Sequence, residues 1–375
     1  MNVKKLCLTN YRNCSDLELS FNTEKNLIIG KNAQGKTNIL ESIYFLSCLK
    51  SQRTTNQTEL IKFNNNSFNI RADILKSGVD IELAYSYTSD KKRNISLNGL
   101  KTNIKNFKST LKTVLFSTSD LMLLRGAPQD RRTWLDNAIG QVYPTYDERL
   151  SKYEKIRVQK NNYLKECAKN GTFNKNLLDV FNEQLSITGS NIIYIRNKYL
   201  KEIEQIAKTK HSLISNDEIL SVKYDCNFLD KSYEYTTIQD LQTIFLNSLQ
   251  ESEIEERRRC QSVIGPHRDD ILFFINDNDA VKFASQGQQR TIVLALKLSE
   301  LDIITHKTGD TPILLLDDVL AELDDLRQNY LLKSIDKNTQ TIITSVDTVL
   351  FEEEFLKDVK IFKIENGKIL STLNS

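Results

Sequence analysis

Proline is scarce in this 375-residue chain, with four residues, and glycine is little commoner, with twelve. A chain so poor in both lacks the Pro/Gly-rich linkers that separate loosely tethered domains. Histidine numbers only three, and the six cysteines (Cys7, Cys14, Cys48, Cys167, Cys226, Cys260) are scattered without a CxxC pair. Neither pattern suits a zinc site or a metal-dependent nuclease, and the cysteines read as reduced thiols of a cytoplasmic protein. No stretch approaches the roughly 18 apolar residues of a membrane span. The opening MNVKKLCLTNYRNC has no apolar core after its lysines, so no signal peptide is expected. Charge of one sign is also missing: the net value is +2, so any nucleic-acid footprint has to be a local patch.

What is present has a split texture. The length suits about two domains. Short β-like runs (VKKLCL, LELSF) lead to the apolar strand NLII before Gly30, and a helical period starts at Thr37. Residues 60–118 alternate and turn at Asn98-Gly99, as antiparallel strands do. From about 120 to 259 helices dominate, including a long one over roughly 176–208 that carries Gly189 in its middle. After 260 the β/α texture returns with ILFFI, RTIVLALKLSEL, PILLLDD, QTIIT and a final hairpin KIFKIENGKIL. The expectation is an α/β protein with mixed β-sheets and helices, split in sequence over 1–119 and 260–375. A mostly α-helical lobe, 120–259, is inserted in it.

Gly30-Lys31-Asn32-Ala33-Gln34-Gly35-Lys36-Thr37 matches GxxxxGK[ST] in full. The spacing serves one chemistry. Glycines let the backbone wrap an anion with N–H groups, and the helix N-terminus adds a favourable dipole. Lys36 then reaches the terminal phosphates and Thr37 supplies a Mg²⁺ ligand. A second metal ligand is expected at the end of a buried strand, and ILLLDD (313–318) offers Asp317. Asp318 is placed to orient or deprotonate an attacking water. Alone, that strand end reads equally as a surface ion pair. With no NKxD motif to read guanine, ATP is the expected nucleotide.

SQGQQRT (285–291) precedes an apolar helix, either as a second anion-docking turn or as a plain N-cap by Ser285. The order of phosphate loop, large insert, SQGQQ, LLLDD and AELD resembles the ATP-binding-cassette superfamily. Within it, the chain is similar to the split heads of the chromosome-maintenance and DNA-repair branch, and especially to the RecF family of recombination mediators. The stretches that carry this are NYRNCSDLEL, GKNAQGKTNILESIYFLS, LFSTSDLMLLRGAPQDRRTWLD, GPHRDD, SQGQQRT and LLLDDVLAELD. They span nearly the whole chain, most weakly in the insert.

The resemblance implies an ABC-ATPase head whose two copies sandwich ATP and Mg²⁺. Lys36, Asp317 and Asp318 would be catalytic, with Gly30 to Thr37 gripping the nucleotide. Ser285, Gly287 and Gln288 would be the signature that meets the nucleotide of a second subunit. Asp324 would face that subunit, and Arg12 would flank the nucleotide. It further implies weak DNA-stimulated ATPase activity, an ATP-dependent homodimer and binding of single-stranded or gapped DNA. The mediators RecR and RecO would be partners in recombinational repair, replication-fork recovery and SOS induction. Asp318 stands where transporter cassettes carry Glu, and SVD (345–347) holds no switch histidine. A transporter subunit fits poorly for that reason. A nuclease-associated ATPase would need a further catalytic domain, and under sixty residues follow Asp317.

Residues 151–210 hold twelve Lys/Arg against six Asp/Glu, a pattern of phosphate contact or of a solvated helix face. No aromatic–basic platform is visible along the chain, so backbone-directed, salt-sensitive binding is the expectation. GPHRDD reads either as architecture or as a coupling element.

Overall fold

The computed structural model describes residues 1–215, 218–229 and 237–374. It divides into two compact units: Met1–Leu121 with Leu213–Ser215 and Arg290–Ser375, and Met122–Ser212 with Asn216–Gln289.

The first unit is built on two six-stranded sheets. One is antiparallel, in the order Cys14–Ser20, Asn2–Tyr11, Ser67–Lys76, Val79–Thr88, Arg93–Leu97, Leu100–Lys101. Its strands alternate as the sequence does: Phe68, Ile70, Ala72 and Ile74 point inward while the residues between them do not. The other has the order Lys368–Asn374, Val359–Glu365, Lys25–Ile29, Thr341–Ser345, Ile313–Asp317, Thr113–Ser117. Its last five strands run parallel, and the final hairpin closes one edge. Strands here are buried along nearly their whole length (ILLL of Ile313–Asp317 and all of TIITS) because both faces are covered. Helix Lys36–Cys48 joins the core of both sheets, with Ile39, Leu40, Ile43, Phe45 and Leu46 fully buried. Being covered all round, it has no polar stripe.

The second unit is mostly helical. Helices Pro128–Val142, Tyr146–Asn170, Lys175–Ser212 and Ile238–Glu251 pack together. The 38-residue helix Lys175–Ser212 runs unbroken through Gly189. A Cβ there would come within 2.5 Å of the Phe245 ring and 3.1 Å of Tyr153, so the glycine marks a close helix approach. A strand that the sequence reading did not anticipate, Leu220–Asp225, pairs antiparallel with Asp270–Ile275. That pairing draws residues 260–289 into the helical unit, so the chain returns to the first unit at Arg290, later than the expected 260. No helix among the described residues is long and apolar enough to cross a membrane.

GPHRDD forms the polar heart of this unit. Arg196, fully buried, forks onto both oxygens of Asp136 at 2.9 Å and donates to the Pro266 carbonyl at 2.6 Å. Asp269 accepts from Tyr224 at 2.6 Å and from the Asn227 N–H at 3.0 Å. Arg131 forks onto Asp270, and His267 Nδ1 meets the Tyr153 hydroxyl at 2.7 Å. Of the motif's six residues only Arg268 is exposed.

Candidate functional site

Strand Lys25–Ile29 lies inside the parallel sheet, between Val359–Glu365 and Thr341–Ser345. At its carboxyl end the chain turns through Gly30–Gly35 into helix Lys36–Cys48. Ligands of open α/β sheets bind at this edge. Gly35 precedes the helix with φ 109°, a conformation costly for any residue with a Cβ. No side chain caps the helix, which leaves its first N–H groups for another acceptor. Gly30 is tight for a different reason: a Cβ there would lie 2.4 Å from the carbonyl oxygen of Ile364.

Within this turn the buried Lys36 donates from Nζ to the carbonyls of Gly30 (2.7 Å) and Lys31 (3.3 Å), and lies 3.9 Å from Asp318 Oδ2. Lys31, Asn32 and Ala33 are exposed. Gln34, expected among the nucleotide-binding residues, has its side chain engaged elsewhere. Its Oε1 accepts from the Asn366 N–H at 2.7 Å and its carbonyl accepts from the Gly367 N–H at 2.8 Å, tying the loop to the turn of the C-terminal hairpin.

Strand Ile313–Asp317 ends beside the loop. Asp317 Oδ1 accepts from Thr37 Oγ1 at 3.0 Å and from Thr344 Oγ1 at 2.9 Å. Burial pushes the Asp317 carboxyl above its usual range, the two threonine hydroxyls oppose that, and the neighbouring Asp318 charge adds to it. A partly buried carboxylate crowded by a second one is short of a cation. Asp318 sits in the left-handed region at φ 52°, its N–H donating to Thr344 Oγ1 at 2.9 Å. Thr344 therefore fixes both aspartates. It was not singled out in the sequence, although its place at the end of QTIIT beside the LLLDD strand is a usable signal. A cavity of about 230 Å³ opens on this cluster, lined by Thr37, Glu41, Gln52, Ser117, Asp317 and Asp318 among others.

Arg12 lies near the loop, but its guanidinium is committed to Glu41 (2.8 and 3.1 Å) and the Glu59 carbonyl (3.1 Å). Arg53 and Ser51 also donate to Glu41, at 2.7 and 2.5 Å. Burial alone would raise the Glu41 carboxyl; the donors from Arg12, Arg53 and Ser51 outweigh it and hold it at about 2.

Ser285, Gly287 and Gln288 belong to the helical unit, at the start of helix Gln286–Thr308. Ser285 Oγ accepts from the Gln288 N–H at 3.2 Å, and Gln288 Oε1 accepts from the Ser285 N–H at 2.7 Å. This reciprocal cap ties the turn together and is compatible with either reading of SQGQQRT. Asp324 likewise caps its own helix, accepting from the Arg327 N–H at 2.9 Å.

Comparison with known proteins decides what this assembly belongs to. The family model of the RecF/RecN/SMC N-terminal domain matches residues 2–369. The DNA replication and repair protein RecF of Bacillus subtilis (strain 168) is 38% identical over 373 residues, covering 99% of this chain and 100% of that protein. That of Streptococcus agalactiae serotype V is 41% identical over 374 residues, covering 98% and 97%. This chain belongs to the RecF family. A solved structure of the recombination mediator protein RecF-ATP in the RecFOR pathway superposes with a TM-score of 0.91 at 33% identity, covering 99% of this chain and 97% of that one. An Smc head bound to the C-winged helix domain of ScpA aligns with a TM-score of 0.56 at 13% identity over 100% and 98% of the two chains, a likeness of fold alone. RecF-family membership thus carries the ABC-ATPase head fold shared with SMC heads.

Proposed function

We propose that this chain is an ATP-controlled DNA-binding protein of recombinational repair, acting in replication-fork recovery and SOS induction. The observation that carries the reading is the meeting of Lys36, Thr37, Asp317 and Asp318 at one sheet edge. A solved RecF-ATP complex of the same fold and the RecF relatives named for DNA replication and repair support it. ATP and Mg²⁺ fit what the residues offer: an uncapped helix N-terminus, an ammonium held by carbonyls and a distant carboxylate, and a partly buried carboxylate beside a second one.

Gly30 to Thr37, through backbone N–H groups and Lys36, would hold the phosphates. Thr37 and Asp317 would hold Mg²⁺, and Thr344 keeps Asp317 aimed at Thr37. Bound ATP–Mg²⁺ supplies the phosphoryl group for hydrolysis and the charge that two copies can share. Asp318 accepts the proton of the attacking water. Its carboxylate stands one methylene shorter than a glutamate, which makes a slow switch more suitable than a fast motor.

Ser285, Gly287 and Gln288 of one copy would contact the nucleotide held by the other, so that binding closes a homodimer and hydrolysis releases it. The closed dimer binds single-stranded or gapped DNA in the cytoplasm, and RecR and RecO act with it to load recombinase. Measuring mass and DNA retention without nucleotide, with ADP and with ATP tests this. Dimerisation and DNA binding should appear with ATP and vanish in Lys36→Met. DNA binding indifferent to nucleotide and to Lys36→Met would overturn the proposal.

A further inference from the structure

The helical unit assembles an aromatic–basic surface from segments that lie far apart in sequence. Tyr163 on helix Tyr146–Asn170, Phe173 in the following turn and Phe181 on helix Lys175–Ser212 cluster at the closed end of this helical hairpin. Their ring centroids lie 6.5 Å (Tyr163–Phe173) and 5.9 Å (Tyr163–Phe181) apart. All three rings are half-buried rather than enclosed. The Tyr163 hydroxyl donates to the Asn174 carbonyl at 2.8 Å and accepts from the Asn174 N–H at 2.7 Å, which pins the turn. Helix Glu253–Arg259 then brings Arg257 onto Phe173, its guanidinium carbon 3.9 Å from the ring centroid. The Arg257 side chain remains 49% exposed, so the guanidinium lying over Phe173 stays accessible to solvent.

The charge around it is positive. Arg257 and Lys175 share Glu253, while Arg258 and Arg259 share Glu255. Glu256, also on this helix, is buried against Lys160 and offers nothing to the surface. Four exposed cationic groups therefore face two carboxylates. An apolar residue, Ile254, stands 81% exposed on the same helix.

We infer that this surface stacks a base of single-stranded DNA on the guanidinium of Arg257, backed by Phe173 and Tyr163, with Lys175, Arg258 and Arg259 beside the phosphates. Guanidinium planes and aromatic rings are the groups on which unpaired bases stack. A base inside a duplex presents no free face, so the surface selects single strand over duplex. An acidic protein segment could use the same charges but has no need of a planar stack. The inference rests on the proposal that the chain binds DNA, and it assigns one contact within that binding.

The test uses the full chain with ATP and an oligonucleotide carrying 2-aminopurine, whose fluorescence reports stacking, plus a duplex of equal length. Arg257→Lys keeps the charge but not the plane. Arg257 is half exposed, so its substitution leaves the core packing in place, and Phe173→Leu serves as a second variant. Wild type should perturb the fluorescence; both variants should lose that change and bind single strand about tenfold more weakly, with duplex affinity unaltered. Unchanged fluorescence and affinity in both variants would overturn this contact while leaving the DNA reading intact. Failure of wild type to bind either DNA would bring down both. Equal loss on single strand and duplex would show charge alone at work and also overturn the stacking surface.

Discussion

Lys36 holds its ammonium between the carbonyls of Gly30 and Lys31, so the phosphate loop is already curled around a cation. Pre-organisation of this kind lowers the cost of placing an anion there. Asp318 occupies a left-handed backbone position, tied through its N–H to Thr344, with Lys36 at 3.9 Å. If it is the base, Asp318→Asn should bind ATP and dimerise as wild type does while hydrolysis falls by about a hundredfold or more. A phosphate-release assay beside an equilibrium binding measurement checks this, and undiminished hydrolysis would remove the assignment. At this scale the sequence was most legible. GxxxxGKT and LLLDD name Lys36, Thr37, Asp317 and Asp318, which the fold brings together at one sheet edge. Thr344 was passed over although the end of QTIIT offered a signal, and the Gln34–Asn366 tie was not legible because it joins two turns more than three hundred residues apart.

At the scale of elements, Glu41 joins three segments. It sits on helix Lys36–Cys48 and accepts from Arg12 at the end of strand Asn2–Tyr11 and from Ser51 and Arg53 in the loop after the helix. Its carboxyl titrates at about 2 in the folded chain against 4.5 unperturbed. A depressed carboxyl stabilises the fold above its unfolded value and loses that contribution as pH falls through the folded one. The brace should therefore be at full strength above about pH 4.5 and gone below about pH 2, a contribution of roughly 3 kcal/mol. Elsewhere, burial and then nearby arginines lower His267 to about 3, while burial raises Asp269 to about 6. The two act in opposite directions and nearly cancel between about pH 4 and 6. Urea unfolding of Glu41→Gln should consequently show a flatter pH dependence between 4.5 and 2 than wild type. An unchanged slope would mean that the brace is not formed. Elements of strong period were readable in the sequence, down to the long helix through Gly189. Strand Leu220–Asp225 alternates along LSVKYD but was missed because its six residues lie within a stretch of helical texture and its partner Asp270–Ile275 lies some fifty residues on. The domain boundary moved with it.

For the whole molecule, a net charge of +2 supplies no strong general attraction for DNA, so the proposed DNA binding has to rest on local patches. The aromatic–basic surface around Arg257 is an instance of what a linear reading cannot see. Tyr163, Phe173, Phe181 and Arg257 form no motif until the helical hairpin folds. In the proposed switch the nucleotide exerts control, which requires that Ser285 act on the nucleotide of a second copy. Light scattering of wild type and Ser285→Arg with ATP, paired with equilibrium ATP binding, measures this directly. Wild type should double its mass, while Ser285→Arg binds ATP equally well and stays monomeric. A Ser285→Arg protein that dimerises with ATP as wild type does would contradict the shared site.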